Sequence, residues 1–459
     1  MSESGEKRKV AKKPKMSFLQ IFNMGFGFLG IQLGFALQTG NASRILQTFG
    51  ADVEHLTWFW LAAPLTGMII QPIIGHYSDS TWTRLGRRRP YFLVGALLAG
   101  LALLFMPNAS LFAAILPLVM IGAGTLMIMD ASFNVAMEPF RALIADNLSE
   151  EQHNQGFSVQ TCLIGVGAII GSLMPYALAN WIGVAKTAPK GVVPPNVSYS
   201  FYAGAIILVA TVLWTVFTTK EYNPEEYASF NEDETENQTG KKKKSAVAEV
   251  FSNLIHMPKT MRQLAVVQFF SWYALFSMWV FTTPAIAEHV FHIEAGDTSS
   301  AGYNTAANWV DILFAVYNGI SAIYALALPN LLSRISRKQI HAFSLAVGGL
   351  SLISMLFIQN QFLLFVPMIG IGLAWGSALA IPYAILSSSI PPSKVGVYMG
   401  IFNFTITIPQ ILNGVIGGLI VKYLFNNKPI YALVIAGVFL FLAAVSVFFV
   451  QDDPKKQVT

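Results

Sequence analysis

Apolar runs of about 20 residues recur from one end of this chain to the other, and that recurrence limits its fold more than any motif does. Each run is long enough to cross roughly 30 Å of hydrocarbon as a helix. Soluble folds do not repeat such segments. Charged residues make up only 12% of the chain, roughly half the share of an ordinary soluble domain. With 54% hydrophobic residues and a mean hydropathy of +0.54, the sequence reads as an all-α, polytopic membrane protein.

Twelve spans are expected, over approximately 18–42, 57–76, 91–107, 111–137, 157–181, 199–217, 264–287, 309–332, 342–358, 362–386, 396–421 and 430–450. A basic tail over 1–17 precedes a six-span half over 18–219. A polar linker follows over 220–262, then a second six-span half over 263–450 and a short tail over 451–459. The linker holds an acidic run, Asn231–Glu236, and a basic one, Lys241–Lys244, and its composition cannot bury a core.

With both termini cytoplasmic, all but five of the 29 Lys and Arg residues fall on the cytoplasmic side, the exceptions being Arg44, Lys186, Lys190, Lys422 and Lys428. That bias follows the positive-inside rule and sets the expected orientation. The hydrophilic N-terminus (Lys7, Arg8, Lys9, Lys12, Lys13, Lys15) runs straight into a full-length span, so the first span is expected to stay as an anchor. The basic charges lie in short loops rather than on a soluble module, which argues against nucleic acid as a partner. A lone cysteine, Cys162, excludes an intrachain disulfide and a cysteine metal cluster.

Asp130 is the sharpest clue to mechanism. It sits deep in the apolar stretch Leu111–Met137, and Asn134, Glu138 and Arg141 follow at offsets that share one helix face. An acid in hydrocarbon is costly, so such residues usually face a water-filled path and carry ions or protons. For Glu138 and Arg141, an interhelical ion pair that only fixes packing is the competing reading. Asp311 in span eight, with Tyr317 and Asn318 below it, is either a second titrating group or a residue at the membrane surface.

The two halves look weakly alike. Pro139-Phe140-Arg141-Ala142-Leu143 is expected to end span four, and Pro382-Tyr383-Ala384-Ile385-Leu386 span ten. Basic loops follow spans two and eight, with Arg84 and Arg87–Arg89 in one and Arg334, Arg337 and Lys338 in the other. Internal repeats around a midplane site are how secondary transporters are built. Prolines such as Pro64, Pro72, Pro284 and Pro409 are expected to bend their spans.

The loop after span two reads Gly75-His76-Tyr77-Ser78-Asp79, then Arg84-Leu85-Gly86-Arg87-Arg88-Arg89-Pro90. It resembles the loop between the second and third helices of the major facilitator superfamily. The resemblance implies that Asp79, Arg84, Arg87, Arg88 and Arg89 form a cytoplasmic gate, with charge-assisted contacts that break as the halves rock. The chain also resembles the glycoside and sucrose–proton symporters of that superfamily. That likeness rests on Gln32–Gln38, on Trp60–Pro64 with Gln71-Pro72 and Gly86–Pro90, on Asp130 with Pro139, Arg141, Ala142, Leu143, Ala145 and Asp146, and on Asn403 with Pro409-Gln410. It implies twelve helices in two pseudosymmetric halves, uptake of a disaccharide such as maltose or sucrose with a proton, and Asp130 as the proton carrier. The chain departs from the plant pattern after span seven, where Thr282-Thr283-Pro284 and Glu288-His289 stand in place of acidic residues and an Arg-Glu pair.

A pyranose has an apolar face and a hydroxyl rim, so aromatic platforms with amide hydrogen bonds suit it. Trp272 and Trp279 lie on one face of span seven with Gln268 and Leu275, and span ten offers Trp375 and Tyr383. Gln38, Asn134, Gln160, Asn318, Asn403 and Gln410 supply amides. Lipid contact and interhelical bonding are the competing roles for these side chains.

Sodium coupling is the nearest rival, and the absence of any acid from 57–76 favours protons. A sugar sensor with the same fold would be expected to carry a larger signalling segment. The usual catalytic groupings, including His-Glu-x-x-His and Gly-x-Ser-x-Gly, are absent, so no enzyme is expected. No cofactor and no metal site are expected either. The anticipated partners are a sugar, a proton and the bilayer of the cell membrane, with the chain acting as a monomer.

Overall fold

The computed structural model describes residues 13–223, 226, 257–294, 296–387, 389 and 395–452. The central linker with Lys241–Lys244 and both extreme tails lie outside these, as do the side chains of Asp79 and Glu138. The described chain is helical almost throughout: α1 Phe18–Gly25, α2 Gly27–Thr48, α3 Val53–Trp60, α4 Ala62–Ser80, α5 Arg89–Phe105, α6 Leu118–Asn147, α7 Glu150–Asn180 and α8 Pro195–Thr218, then α9 Lys259–His289, α10 Ala301–Leu332, α11 Arg337–Ser354, α12 Phe365–Ser387, α13 Val395–Phe425 and α14 Ile430–Val447. Among the described residues, 11 helical segments are long and apolar enough to cross a membrane. The pair α3–α4 supplies the twelfth. Helices of this kind satisfy the backbone internally, as a layer without water demands.

Several boundaries differ from the sequence expectation, each for a local reason. Span two breaks at Leu61, because the ring of Pro64 excludes the bond to the carbonyl of Trp60; the Leu61 amide turns back to Trp58 O instead (3.2 Å). The join before span four is wider than expected. Met106–Phe112 forms a 3₁₀ turn behind Pro107, and the fourth helix starts only at Leu118. Neither Pro139 nor Pro382 ends its helix, since α6 runs on to Asn147 and α12 to Ser387. One missing N–H inside a packed bundle is a tolerable loss. Span one continues to Thr48 and span eight begins at Ala301, so Arg44 and Asp311 both lie well inside helices.

Two apolar cores organise the bundle. One gathers Phe28, Phe92, Phe133, Phe140 and Phe201 from the first six spans. The other gathers Phe276, Phe281, Phe314, Ile381 and Phe402 from the last six. The second core also takes in Ala42, Leu46, Leu56 and Trp60 from the first half. These come from the ends of spans one and two farthest from the chain termini, here called the distal end. The halves are therefore stitched together at that end. Ser43 donates to Val280 O (2.9 Å), Tyr303 to Gln47 Oε1 (2.7 Å), and the Gly418 amide to Thr57 Oγ1 (3.2 Å).

The opposite, terminal end carries a repeated charge device. Glu221 follows the sixth span, and its carboxylate accepts from the backbone N–H groups of Arg87, Arg88 and Arg89 at 2.9–3.1 Å. Those donors open α5 and would otherwise lack partners, so a distant acid caps the helix and complements its dipole. The wrap depends on Gly86, whose φ of +113° is open to glycine and strained for other residues. Arg89 also pairs with Glu221 (3.4 Å) and donates to Val216 O and Thr219 O at the end of α8. The second half repeats the charge pair but not the cap, since Ser336 caps α11 there. Arg337 opens α11 and pairs with Asp452 (3.1 Å), just past the last helix, while Lys338 reaches Phe448 O (2.8 Å).

Removing the charge from each clamp tests this architecture. Glu221→Gln and Asp452→Asn should each destabilise the purified protein, by about 1–3 kcal/mol given the buried donors left poorly matched. A thermal unfolding midpoint unchanged in both variants would show that the clamps hold nothing.

Candidate functional site

Asp130 lies 2% exposed in α6, among helices of the first half. Gln38 Nε2, from α2, donates to its Oδ1 at 2.5 Å, and Oδ2 has no partner. Gln38 is itself buried with its Oε1 unpaired. Asp130 has no ionic partner among the described residues, so its charge is balanced by no cation. One turn on, Asn134 donates back to Asp130 O (2.9 Å) and accepts from Gln71 Nε2 (2.6 Å). Gln71 in turn accepts from Asn403 Nδ2 of α13 (3.3 Å). A chain of hydrogen bonds thus runs from the backbone carbonyl of Asp130 through Asn134 to Gln71 and across to Asn403 of the second half.

On that side stand three indoles. Trp272 and Trp279 are two turns apart on α9, which keeps them on one face, and Trp375 joins them from α12. The ring centroids lie 5.4–6.3 Å apart, all edge to face, a favoured aromatic geometry. Trp279 Nε1 donates to Tyr317 OH (3.2 Å), whereas the buried Nε1 of Trp272 has no partner. One turn before Trp272, Gln268 is fully buried with both amide atoms unpaired.

The remaining expected residues scatter more widely. Gln160 is buried on α7 with Oε1 unpaired, and Gln410 is buried on α13. Asn318 is half-buried and turns its amide to Phe314 O (2.9 Å). Arg141 is exposed although Asp130 on the same helix is buried, so the shared face does not bring the two charges together. In the loop after span two, Arg84 is exposed, while Arg87 and Arg88 both bond Asp146 Oδ2 at the end of α6 (2.5 and 2.9 Å).

Asp311 does not lie at the surface. It is fully buried, and Asn41 Nδ2 donates to its Oδ1 (3.2 Å). Arg44, expected in an exterior loop, is 1% exposed and stands 4.0 Å from Asp311 Oδ2. Asn304 and Asn308 accept from the guanidinium at 2.9 and 2.8 Å. Four residues here were not anticipated as a group: Asn41, Arg44, Asn304 and Asn308. Their spacings of three and four, with Asp311 three residues further on, form polar stripes on two helices and were readable as such. The span ends assigned at 42 and 309 cut both stripes off. Gln71 was missed for a different reason, since nothing in its own span suggests a bridge.

The Major Facilitator Superfamily model matches residues 24–414 and again 303–459. Among curated proteins, the chain is 24% identical to the sucrose transport protein SUC4 of Arabidopsis thaliana, over 85% of this chain and 81% of that one. It is also 24% identical to the general alpha-glucoside permease of Schizosaccharomyces pombe, over 94% and 93%. Among solved structures, the nucleoside transporter NupG superposes with a TM-score of 0.65 at 15% identity, covering 95% of this chain and 99% of that one. A D-xylose–proton symporter superposes with a TM-score of 0.64 at 15% identity, covering 96% and 99%.

Proposed function

Since the chain belongs to the major facilitator superfamily, we propose that it is a secondary active transporter that takes up a neutral disaccharide of the maltose or sucrose type together with a proton. The named activities of the sucrose and alpha-glucoside relatives support the sugar. The positive-inside pattern supports a cytoplasmic terminal end in the cell membrane. No relative among these is named as an enzyme.

One observation carries the coupling: Asp130 is buried beside Gln38 and has no cation. A bare carboxylate in that position is costly, and a bound proton removes the cost. The protonated acid keeps an oxygen to accept from Gln38 and gains an O–H that can donate to a sugar hydroxyl. Proton and sugar are then linked, because the loaded carrier reorients as a neutral complex. Gln38, Asn134 and Asn403 supply hydrogen bonds to the hydroxyl rim, and Trp272, Trp279 and Trp375 supply apolar faces. Gln160, Asn318 and Gln410 are further candidate amides on α7, α10 and α13. Gln71 ties the two walls together and must release Asn403 when they separate. Asp79 belongs to the gate of the loop after span two. Glu138 and Arg141 lie beyond Asp130 toward the terminal end.

Asp130→Asn mimics the protonated acid. It should abolish uphill accumulation, reducing the sugar concentration ratio to unity, while equilibrium exchange of sugar persists. Accumulation by the variant in a pH gradient would move the proton site elsewhere, first to Glu138.

Sodium coupling is the alternative that shares this fold. The acids of the second span lie at its two ends, Glu54 and Asp79, and Glu54 is held by Lys422 (2.7 Å), so its middle offers no carboxylate to a cation. Uptake of maltose or sucrose down its gradient into sodium-free proteoliposomes should therefore proceed unchanged and acidify the lumen. Strict dependence on added sodium would sink the proton reading. Exchange without accumulation under any gradient would favour a sugar sensor.

A further inference from the structure

The ion pair Arg44–Asp311 is a candidate for more than packing because of where it sits. Arg44 belongs to the first half and Asp311 to the second, and both are buried at the seam. The cage around them draws on four helices. Asn41 of α2 reaches Asp311, while Asn304 and Asn308 of α10 hold the guanidinium. Asn196 of α8 donates to the same Asn308 oxygen (2.9 Å) and to Pro175 O of α7 (3.0 Å). Spans one, five, six and eight therefore meet at a single network.

The network is incompletely bonded. Asp311 Oδ2 and Asn308 Nδ2 are buried without hydrogen-bond partners, and the charges stand at 4.0 Å rather than in a bidentate contact. A pair selected only for stability would be expected to close that geometry, since a loosely paired buried charge repays its desolvation poorly. A contact that must form and separate in every cycle gains nothing from being tighter. Neighbouring polar contacts across the seam are single neutral hydrogen bonds, such as Ser43 with Val280 and Gln47 with Tyr303.

We propose that Arg44 and Asp311, with Asn41, Asn304 and Asn308, form the latch that closes the distal entrance of the transporter. Arg44 is a positioning residue. It binds no substrate and holds α10 against α2 while the distal side is shut. α2 also carries Gln38, three residues before Asn41, so the helix that touches Asp130 is the helix that closes the latch. The proposal rests on the transport reading above, but not on which sugar or ion is carried.

The test uses full-length protein carrying Cys162→Ser and a reporter, Ala42→Cys. Ala42 is 1% exposed and packs into the second half's core at the distal seam. A membrane-impermeant maleimide is applied to right-side-out and to inside-out vesicles. Arg44→Gln and Asp311→Asn should each speed labelling from the distal face by roughly tenfold or more, as expected when one member of a buried pair is lost. The exchange variant, Arg44→Asp with Asp311→Arg, should return the rate toward that of the reporter parent. Labelling within about twofold of the parent in both single variants would overturn the latch. Equal speed in the exchange and single variants would do the same, because a latch of opposite charges tolerates exchange. If the charge variants do not fold, Asn308→Ala decides. It keeps both charges, and it should still accelerate distal labelling; an unchanged rate refutes the proposal. The assay needs neither sugar nor a proton gradient, so its failure is distinct from a failure of the disaccharide reading.

Discussion

A bilayer offers a buried charge no water, and the positions of the charged side chains in this chain follow from that. Arg44 and Asp311 are brought together from opposite halves. Arg89 and Glu221 are joined within the first half, and Arg337 and Asp452 within the second. Among the acids named here, Asp130 is the one not held by a cation, and it has an amide in its place. Removing one partner of a buried pair costs about 3–5 kcal/mol, so the pairs within a half, Arg89–Glu221 and Arg337–Asp452, are fixed features.

The distribution of these pairs gives the molecule its mechanics. Clamps at the terminal end stay within a half and make each half rigid. The charge pairs between halves, Arg44–Asp311 and Glu54–Lys422, lie at the distal end, where apolar side chains of spans one and two also enter the second core. Between the two ends, the halves meet through Gln71 and Asn403 at 3.3 Å, a neutral contact that separates at little cost. Rigid halves joined by weak, separable contacts suit a rocking motion better than a hinge within any one helix does.

The fold was legible in the sequence because hydrophobic length in a bilayer maps directly onto helices. Asp130 was legible for the same reason, as an acid where the pattern forbids one. Helix ends were harder to read. Proline was expected to stop spans four and ten, yet both helices pass through it, while Pro64 breaks span two. Tertiary packing decides between these outcomes, and a local pattern does not contain it. The partner of Asp311 was hidden by a related error. A cation near a span end reads as a loop residue until the neighbouring helix shows that it is buried. The three indoles could be placed on their helix faces from spacing alone. Their mutual edge-to-face contacts depend on how α9 and α12 cross, which no single-span pattern encodes.

The order of the chain gives the terminal clamps a further meaning. Glu221 lies 133 residues beyond Arg88, whose amide it caps, and directly behind the sixth span. During synthesis the N-terminal part emerges first, so the arginine loop exists long before the acid that neutralises it. Until then, the backbone N–H groups that open α5 and the Arg89 guanidinium lack this carboxylate, whereas Arg87 and Arg88 already have Asp146 at the end of α6. Only when the sixth span has been inserted does Glu221 arrive and fasten the loop. The same acid thus marks the completion of the first half, and Asp452, behind the last span, marks that of the second. Each half is locked by its own final residues, which makes the clamp a checkpoint of assembly as well as a brace.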